Sequence, residues 1–471
     1  MRIQQIYTGC LAHAAYYISN KGEAAIFDPL REVQSYIDRA EHDQCKIKYV
    51  FETHFHADFV SGHLNLQEET GATIVFGPTA TPDYDALIAK DGQEFKVGDY
   101  TIRAIHTPGH TMESTTYLLI DENGKEHGLI TGDTLFIGDV GRPDLAQHVA
   151  SELTEEKLAG HLYDSLRNKI MPLSDHLVIY PNHGAGSACG KKMSQETTDT
   201  LGNQKRTNYA LRADMTKEEF KKEVLDGLTT PPLYFPQNVM MNIKGYDSAE
   251  VVMQRAMTPL NTENFEAVVE GIHALVLDTR NPEDFAKGFI PNSINIGLNG
   301  SFAQWVGELI PDVKQEMVLV CEPGTEIEAV TRLSRVGYDY ALGFLLGGFQ
   351  SWKDSGKDYD SLVRISSEEF EKAYKDEGPL IIDVRKKSEF DAQHVIGALN
   401  IPLNSINNRL DAFPENRSFV LHCVSGYRSM IAASILKQRG WHNFVDVSEG
   451  FNGIKKRKVA LSPFKEPQSL L

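Results

Sequence analysis

Four short clusters of histidine and aspartate have the residue types and spacing for metal chemistry. Each cluster follows an apolar run typical of a β-strand, so its polar side chains stand where a strand ends. A histidine pair spaced two residues apart after a strand is predicted in a loop, because a turn can aim both rings at one point. The clusters are Thr53-His54-Phe55-His56-Ala57-Asp58-Phe59, Thr107-Pro108-Gly109-His110-Thr111, Gly132-Asp133-Thr134-Leu135 and Tyr180-Pro181-Asn182-His183-Gly184.

These residue types favour a transition metal. Neutral imidazole nitrogen and carboxylate oxygen suit zinc, iron, manganese or nickel better than calcium or magnesium. Any one of these histidines alone is better explained as a hydrogen-bonded loop residue. Four such clusters in order are hard to obtain without a shared site, so together they predict a metal centre.

A cysteine loop near the C-terminus is the second chemical feature. Cys423 follows the apolar run FVLH and precedes a predicted helix. The backbone N–H groups of such a loop, the helix N-terminus and Arg428 would favour a thiolate that can hold sulfur as a persulfide. The alternative is a buried structural cysteine.

The C-terminal half contains an internal repeat of whole-domain size. The segment LVLDTRNPEDFAKGFIPNSINI is echoed by LIIDVRKKSEFDAQHVIGALNI, and Cys321 precedes Cys423 by 102 residues. In the first copy, Pro323 removes one loop N–H, while Glu322 and Glu326 oppose a thiolate. This copy is predicted to be degenerate although Cys321 remains, and to be retained for structure or docking.

The elements that position these residues differ between the two halves. Both repeats alternate short β-branched runs with amphipathic stretches, which predicts parallel α/β sheets. The N-terminal third has β-type runs that end in Gly, Pro, His or Asp, as expected for a β-sandwich with outer helices. Three prolines, at 231, 232 and 236, predict irregular backbone and a domain end near residue 250.

Composition restricts the classes of protein. A chain of 471 residues is too long for one core and predicts three domains. No apolar run reaches the ~18 residues that span a bilayer, and a net charge of −18 argues against nucleic acid as a partner. Five scattered cysteines and the absence of a secretory signal pattern predict reduced thiols in a cytoplasmic protein. The sequence leaves open whether the chain forms a homo-oligomer.

The motifs THFHAD, TPGHT, GDTLF and YPNHG resemble the metallo-β-lactamase superfamily over about the first 200 residues. The family signature THxHxDH supplies ligands to two metals, and Phe59 stands here where the last histidine belongs. A phenyl ring cannot bind a metal, which argues against a full dinuclear site of the glyoxalase II type.

Within that superfamily the chain is most similar to persulfide dioxygenases. The resemblance implies one Fe(II) per chain, held by His54, His110 and Asp133, with positions left open for substrate sulfur and O₂. Zinc could occupy the same ligands in a purified sample. His56, Asp58 and His183 are then expected to orient the ligands or to hydrogen-bond water around them.

Three residues are candidates for substrate binding. The segment GDVGRPD resembles a GR[TP]D element whose arginine, here Arg142, would meet the anionic end of the substrate. The alternative is a salt bridge from Arg142 to Asp144 or Asp139. Tyr180 and Cys189 are the other candidates, and Cys189 would either accept sulfane sulfur or simply pack as a buried thiol.

The Cys423 loop, with IDVR upstream, closely resembles the rhodanese domain over residues 360–471. The resemblance implies catalytic roles for Cys423 and Arg428. The predicted fold class is therefore α/β multidomain. It combines an αββα metallo-β-lactamase sandwich at 1–250 with two α/β rhodanese-like domains with parallel sheets, degenerate at 255–358 and active at 360–471.

The predicted function is oxidation of a low-molecular-weight thiol persulfide with O₂ to sulfite, followed by sulfur transfer from Cys423 that gives thiosulfate. The expected partners are the thiol persulfide, O₂ and sulfite, with no nucleic acid and no membrane. One alternative is a glyoxalase II-like zinc thioester hydrolase. Another is a non-catalytic sulfur-carrier or redox-sensing module.

Overall fold

The computed structural model describes residues 2–145, 153–228, 230–376 and 378–466. The chain divides into two compact units. One comprises Met1–Ala249 with the short segment Ser334–Gly337, and the other comprises Glu250–Leu333 and Tyr338–Leu470. The two predicted repeats, 255–358 and 360–471, lie mostly in the second unit, apart from Ser334–Gly337, and their limits stay predictions.

The first unit contains two six-stranded sheets. The first sheet has its strands in chain order, with β1–β3 antiparallel and β3–β6 parallel. Its strands are β1 (Ile3–Thr8), β2 (His13–Asn20), β3 (Glu23–Phe27), β4 (Lys46–Phe51), β5 (Thr73–Phe76) and β6 (Leu87–Ile88).

The second sheet has the order β12-β11-β10-β9-β8-β7 and is antiparallel except for the parallel pair β10–β11. Its strands are β7 (Glu94–Val97), β8 (Tyr100–His106), β9 (Thr115–Ile120), β10 (Glu126–Gly132), β11 (Val178–Pro181) and β12 (Asp199–Thr200).

Side-chain alternation builds four layers from these sheets. Tyr16 and Ile18 on β2 pack with Ile102 of the second sheet in the inner core, whereas Tyr17 packs with Tyr36 in an outer core. A further outer core lies on the second sheet. The helices are α1 (Gln34–His42), α2 (His63–Thr70), α3 (Glu155–Ser165), α4 (Leu201–Thr207), α5 (Lys217–Leu225) and α6 (Phe235–Lys244), and a π-helical turn Leu166–Ile170 follows α3. The next helix, α7 (Ala249–Ala256), begins at the last residue of this part of the first unit and continues into the second.

The prediction of irregular backbone across the proline-rich stretch is wrong at its end. Helix α6 begins at Phe235 and has Pro236 in its first turn. A proline is accepted there because the first N–H groups of a helix have no partner within it.

The second unit contains two five-stranded parallel sheets with matching strand orders, β13-β17-β16-β14-β15 and β18-β22-β21-β19-β20. The first sheet is formed by β13 (Pro259–Leu260), β14 (Leu275–Asp278), β15 (Ile294–Asn295), β16 (Met317–Val320) and β17 (Ala341–Leu345). The second is formed by β18 (Arg364–Ile365), β19 (Leu380–Asp383), β20 (Leu399–Asn400), β21 (Phe419–His422) and β22 (Phe444–Val447). We call the two halves the middle copy and the last copy.

Helices connect these strands, as parallel pairing requires. They are α8 (Thr262–Ile272), α9 (Pro282–Lys287), α10 (Phe302–Leu309), α11 (Glu326–Arg335) and α12 (Gly348–Asp354) in the middle copy, and α13 (Ser367–Asp376), α14 (Lys387–Ala392), α15 (Tyr427–Gln438) and α16 (Gly450–Ile454) in the last copy. The predicted fold class, a sandwich followed by two parallel α/β domains, is confirmed. Across the four described ranges, no helix is both long and apolar enough to cross a membrane.

Candidate metal centre and sulfur-transfer loop

The ends of β4, β8 and β10 bring three predicted ligands together. His54 follows β4, His110 follows β8 and Asp133 follows β10 directly. One ligand atom from each lies within 4.8 Å of the other two. Asp133 Oδ2 is 3.8 Å from His54 Nε2 and 3.5 Å from His110 Nε2. All three side chains are buried, so the sheet edge holds them in a fixed arrangement.

The second ring nitrogen of each histidine is already engaged. His110 Nδ1 lies 2.9 Å from the carbonyl oxygen of Arg142, to which it donates. His54 Nδ1 is 3.0 Å from Thr53 Oγ1, and that hydroxyl donates to Asp28. Each Nε2 therefore keeps its lone pair for a metal. Burial and the neighbouring histidines hold the pKa of His54 well below its usual value, which also favours the neutral ligand form.

The residues fit a metal ion at this point. Asp133 Oδ2 is fully buried and has no hydrogen-bond partner among the described residues. A buried carboxylate oxygen without a partner is costly, and a cation beside it would remove that cost. Two imidazole nitrogens and one carboxylate oxygen are the donor set that the resemblance implies, and their role as ligands stays a prediction.

Gly141 allows the ligands to pack this closely. A Cβ atom added there would lie 2.1 Å from the carbonyl oxygen of Asp133 and 2.9 Å from His110 Nδ1. Its N–H donates to the same carbonyl oxygen. A side chain at position 141 would push the ligands apart.

His56 belongs to a separate group of carboxylates. Its Nε2 is 3.0 Å from Asp28 Oδ1 and 3.3 Å from Glu52 Oε2. Burial opposes the charged ring, but the two carboxylates dominate and raise the pKa of His56 to about 10. Ser61 donates to Glu52, which anchors the loop after β4. A role for His56 in orienting the candidate ligands stays a prediction.

His183 bridges two carboxylates. Its Nδ1 is 2.9 Å from Asp133 Oδ1 and its Nε2 is 2.8 Å from Asp58 Oδ2. Both nitrogens must donate in this arrangement, so the ring is an imidazolium. Burial alone would lower the pKa of His183, but Asp133 and Asp58 together raise it well above its usual value.

Phe59 is fully buried where relatives with the THxHxDH signature have a histidine. Its ring stacks on His56 with a centroid distance of 4.3 Å, and His13 packs on it at the same distance. The position is filled by aromatic contacts and supplies no metal ligand.

A cavity of about 50 Å³ lies beside His110. Its described lining is mostly apolar and includes one carboxylate, Glu113, which accepts a hydrogen bond from the backbone N–H of Phe55. No lysine or arginine is among the lining residues, which are Phe55, Ala57, His110, Thr111, Met112, Glu113, Leu145, Leu153, Val239 and Ile243.

Arg142 forms the salt bridge that was its alternative role. Its Nε and Nη2 are 2.7 and 2.6 Å from the two oxygens of Asp144, and its Nη1 donates to the carbonyl oxygen of Ala188. The guanidinium is buried and its planar fork is occupied by Asp144. Binding of a substrate anion by Arg142 stays a prediction.

The other two candidate substrate residues have different surroundings. The Cys189 thiol is buried near Asp58 and His183, and burial together with Asp58 and Asp133 raises its pKa well above the usual value. That environment opposes a thiolate. Tyr180 lies on β11 with its ring against Tyr16, at a centroid distance of 5.6 Å, on the inner-core side.

In the last copy, Cys423 immediately follows β21 and opens the loop before α15. The N–H of Gly426, which has φ 86°, donates to Cys423 Sγ at 3.2 Å. Arg428 forms a bidentate pair with Glu389, at 2.6 and 2.8 Å. The guanidinium charge is therefore largely balanced by Glu389, which the sequence analysis did not foresee.

In the corresponding loop of the middle copy, a carboxylate of the loop itself takes up a backbone N–H. The N–H of Gly324 donates to the Glu326 carboxylate at 2.9 Å. Burial, aided by Glu326 and Asp278, raises the pKa of Cys321 to about 12. The features agree with the predicted degeneracy of this copy.

Sequence reasoning missed several residues of the centre. Asp28 and Glu52 also stand where strands end, at β3 and β4, so the signal that found the ligands was available for them. His13 lies within β2 and has no such signal, although neither of its buried ring nitrogens has a partner among the described residues.

Known protein families match both halves of the chain. The metallo-beta-lactamase superfamily profile matches residues 8–182, and the rhodanese-like domain profile matches 262–355 and 366–457. A solved metallo-beta-lactamase from Staphylococcus aureus is 30% identical with a TM-score of 0.63, covering 74% of this chain and 98% of that one. The chain therefore belongs to the metallo-beta-lactamase superfamily, and two rhodanese-like domains follow in its second half.

Curated relatives match a shorter stretch. A probable hydroxyacylglutathione hydrolase from Schizosaccharomyces pombe is 29% identical over 34% of this chain and 59% of its own length. A hydroxyacylglutathione hydrolase from Rhizobium etli is 34% identical over 29% of this chain and 48% of its own length. The chain thus spans about half the length of these relatives.

Proposed function

We propose that the first domain is a persulfide dioxygenase with one non-haem Fe(II), and that the last copy is a sulfurtransferase. The observation that carries the proposal is the convergence of His54, His110 and the unpartnered Asp133 Oδ2 on one point. Two histidines and one carboxylate are the facial triad of non-haem iron oxygenases. Such an ion would supply redox chemistry with O₂ at its open positions.

The protein residues account for the rest of the site. The Arg142 carbonyl oxygen and Thr53 fix the tautomers of His110 and His54. The apolar lining beside His110 would exclude water from the reacting sulfur. His56 is paired with the carboxylates of Asp28 and Glu52, and Phe59 supplies no ligand.

Each of the two proposed reactions balances in atoms and electrons. Thiol persulfide, O₂ and water give thiol, sulfite and protons. At Cys423 the thiolate takes the outer sulfur of a second persulfide and releases thiol, and sulfite then removes that sulfur as thiosulfate. The five free cysteines agree with a cytoplasmic setting for this activity.

The hydrolase named for the two curated relatives is the rival function. A thioester hydrolase needs a metal-activated hydroxide. A sulfur carrier without turnover is the non-enzymatic rival.

One experiment separates these three functions. The purified chain is analysed for iron and zinc, and the same sample is tested for O₂ uptake with a panel of thiol persulfides and for cleavage of a hydroxyacylglutathione. One iron per chain with repeated O₂ uptake and thiosulfate release supports the proposal. Two zinc ions with thioester cleavage and no O₂ uptake would refute it, as would a single stoichiometric transfer of sulfur to Cys423.

A further inference from the structure

Helix α15, which begins directly after the Cys423 loop, is attached to the middle copy along its length. At its start, the Tyr427 hydroxyl donates to the Gly297 carbonyl oxygen at 2.7 Å. Near its middle, Ser434 Oγ accepts from the Asn295 N–H at 2.9 Å. At its end, the Gln438 side-chain amide donates to the carbonyl oxygen of Asn292 at 3.0 Å. The segment around β15 therefore runs beside the whole helix.

At the first of these attachments, the Tyr427 ring is tightly packed against the middle copy. A Cβ atom added at Gly300, in the turn after β15, would lie only 2.3 Å from Cζ of the Tyr427 ring. The ring therefore lies directly on the backbone of this turn. Burial raises the pKa of Tyr427 above its usual value, so its hydroxyl remains a hydrogen-bond donor.

Tyr427 follows the residue that contacts the reactive sulfur. The Gly426 N–H donates to Cys423 Sγ, and the Gly426 carbonyl oxygen accepts from Arg364 at 3.4 Å. Arg364 also pairs with Glu283 of the middle copy and with Asp446 of the last copy. The end of the loop is thus connected to the middle copy twice, directly through Tyr427 and indirectly through Arg364 at the Gly426 carbonyl oxygen.

We propose that the middle copy is a positioning element of the Cys423 site, acting through the contact of its Gly297–Gly300 turn with Tyr427. Tyr427 is a positioning residue that fixes where the Gly426 N–H meets the sulfur. This role explains how a copy whose own loop is closed by Glu326 still serves sulfur transfer. The inference rests on the sulfurtransferase part of the proposed function.

The test adds a methyl group to the middle copy and measures the rate of sulfur loading onto Cys423 in the last copy. In the full-length chain, Gly300→Ala should lower the rate of sulfur loading onto Cys423 from thiosulfate by about 10- to 100-fold. The matched control is Gly271→Ala, in the same copy, where an added Cβ has nothing within 4 Å. The control should load sulfur at the unsubstituted rate, and both variants should keep O₂ uptake.

The pH dependence of sulfur loading distinguishes an effect on the position of the Gly426 N–H from a loss of folded protein. A misplaced Gly426 N–H stabilises the thiolate less, so the acid limb of the pH–rate profile should move to higher pH in Gly300→Ala. A lower fraction of folded protein would reduce the rate at every pH without moving the acid limb of the pH–rate profile. Tyr427→Phe, which keeps the ring and loses the hydroxyl, should show a smaller shift in the same direction and remains informative if Gly300→Ala does not fold.

A double-variant cycle tests the route of the effect. If Gly300→Ala acts through Tyr427, adding it to Tyr427→Ala should cause no further loss. Equal rates and equal pH limbs for Gly300→Ala, Tyr427→Phe and Gly271→Ala would overturn the inference while sulfur transfer stands. Absence of sulfur loading in the unsubstituted chain, from thiosulfate and from a thiol persulfide alike, would instead refute the sulfurtransferase function on which the inference depends.

Discussion

Glu326 accepts a hydrogen bond from the backbone N–H of Gly324, 2.9 Å away, within the loop of the middle copy. The corresponding N–H in the last copy, that of Gly426, donates to Cys423 Sγ. The same backbone donor therefore serves a carboxylate in one copy and a sulfur atom in the other. Because a carboxylate already occupies this loop, a second anion on Cys321 would be repelled.

The two cysteines should therefore differ in sulfur transfer. Cys423→Ser should reduce thiosulfate formation from persulfide and sulfite by about 1,000-fold or more, because the sulfur carrier is lost. Cys321→Ser should keep the full rate, since the Cys321 thiol stays protonated with its pKa near 12. Steady-state rates and mass spectrometry of the persulfidated cysteine measure both. Persulfide on Cys321 during turnover would contradict the prediction.

The clusters that hold the candidate metal ligands were predictable because each one follows a strand, and the sheets bring those strand ends together. Strand recognition and residue type found the clusters that contain His54, His110 and Asp133, and the resemblance to persulfide dioxygenases selected these three residues. Asp28 also follows a strand, but its contact with His56 did not follow from local pattern, because it depends on the parallel pairing of β3 with β4. Long-range pairings of this kind decide which nearby carboxylate a histidine meets.

The orientation of the Arg142 side chain could not be predicted from its motif, for a different reason. Its motif identified an arginine near the site, but the direction of its guanidinium depends on Asp144 two residues later. The contact of Tyr427 with Gly300 was also outside sequence reasoning, because it depends on how two homologous copies pack. Pro236 illustrates a third case, since a proline forbids a helix interior and permits a helix start.

Removing the candidate carboxylate ligand should separate the two proposed activities. Asp133→Asn should weaken iron binding by more than the ~100-fold typical for loss of an outer-sphere partner, because a direct ligand and a charge are lost. O₂ uptake should fall in parallel, while sulfur loading of Cys423 from thiosulfate should persist. Metal content after dialysis and O₂-electrode rates measure this, with the exposed His176→Ala as control. Full iron content in Asp133→Asn would contradict the assigned ligands.

Phe59 should limit the number of metals. Asp58 Oδ1 is buried without a partner among the described residues, and His183 lies beside Asp58. Phe59→His would add the missing signature ligand, so a second equivalent of zinc should bind when the ion is in excess. Phe59→Leu is the matched control and should stay at one metal. A Phe59→His protein that still binds a single ion would show that another feature excludes the second.

The metal-free protein should lose stability in acid through Asp58. Burial opposes the charge of Asp58, but His183 outweighs it and lowers the pKa to about 2. A carboxyl with a depressed folded pKa stabilises the fold above its unfolded pKa and loses that contribution as pH falls from about 4 to about 2. The loss should reach about 2 kcal/mol, measured as the free energy of unfolding in denaturant at each pH. Asp58→Asn should flatten this slope, and the exposed Asp83→Asn should leave it unchanged.

The cavity beside His110 should select persulfides by the charge of the carrier thiol. Among the described lining residues Glu113 is the one carboxylate and no lysine or arginine accompanies it, and Arg142 is engaged by Asp144. Persulfides of cysteamine, mercaptoethanol and mercaptoacetate have similar length and differ in charge. The anionic member should have a lower kcat/KM for O₂ uptake than the neutral one by about fivefold, which corresponds to about 1 kcal/mol of repulsion.

Glu113→Gln tests the origin of this selectivity. The substitution keeps an oxygen that accepts from the Phe55 N–H, so the loop that carries His54 should keep its position. It removes the charge, and the difference between the anionic and the neutral persulfide should therefore disappear. Glu122→Gln, at an exposed position between β9 and β10, is the matched control and should keep the difference. A preference for the mercaptoacetate persulfide in the unsubstituted protein would mean that Arg142 governs the substrate anion despite its pairing with Asp144.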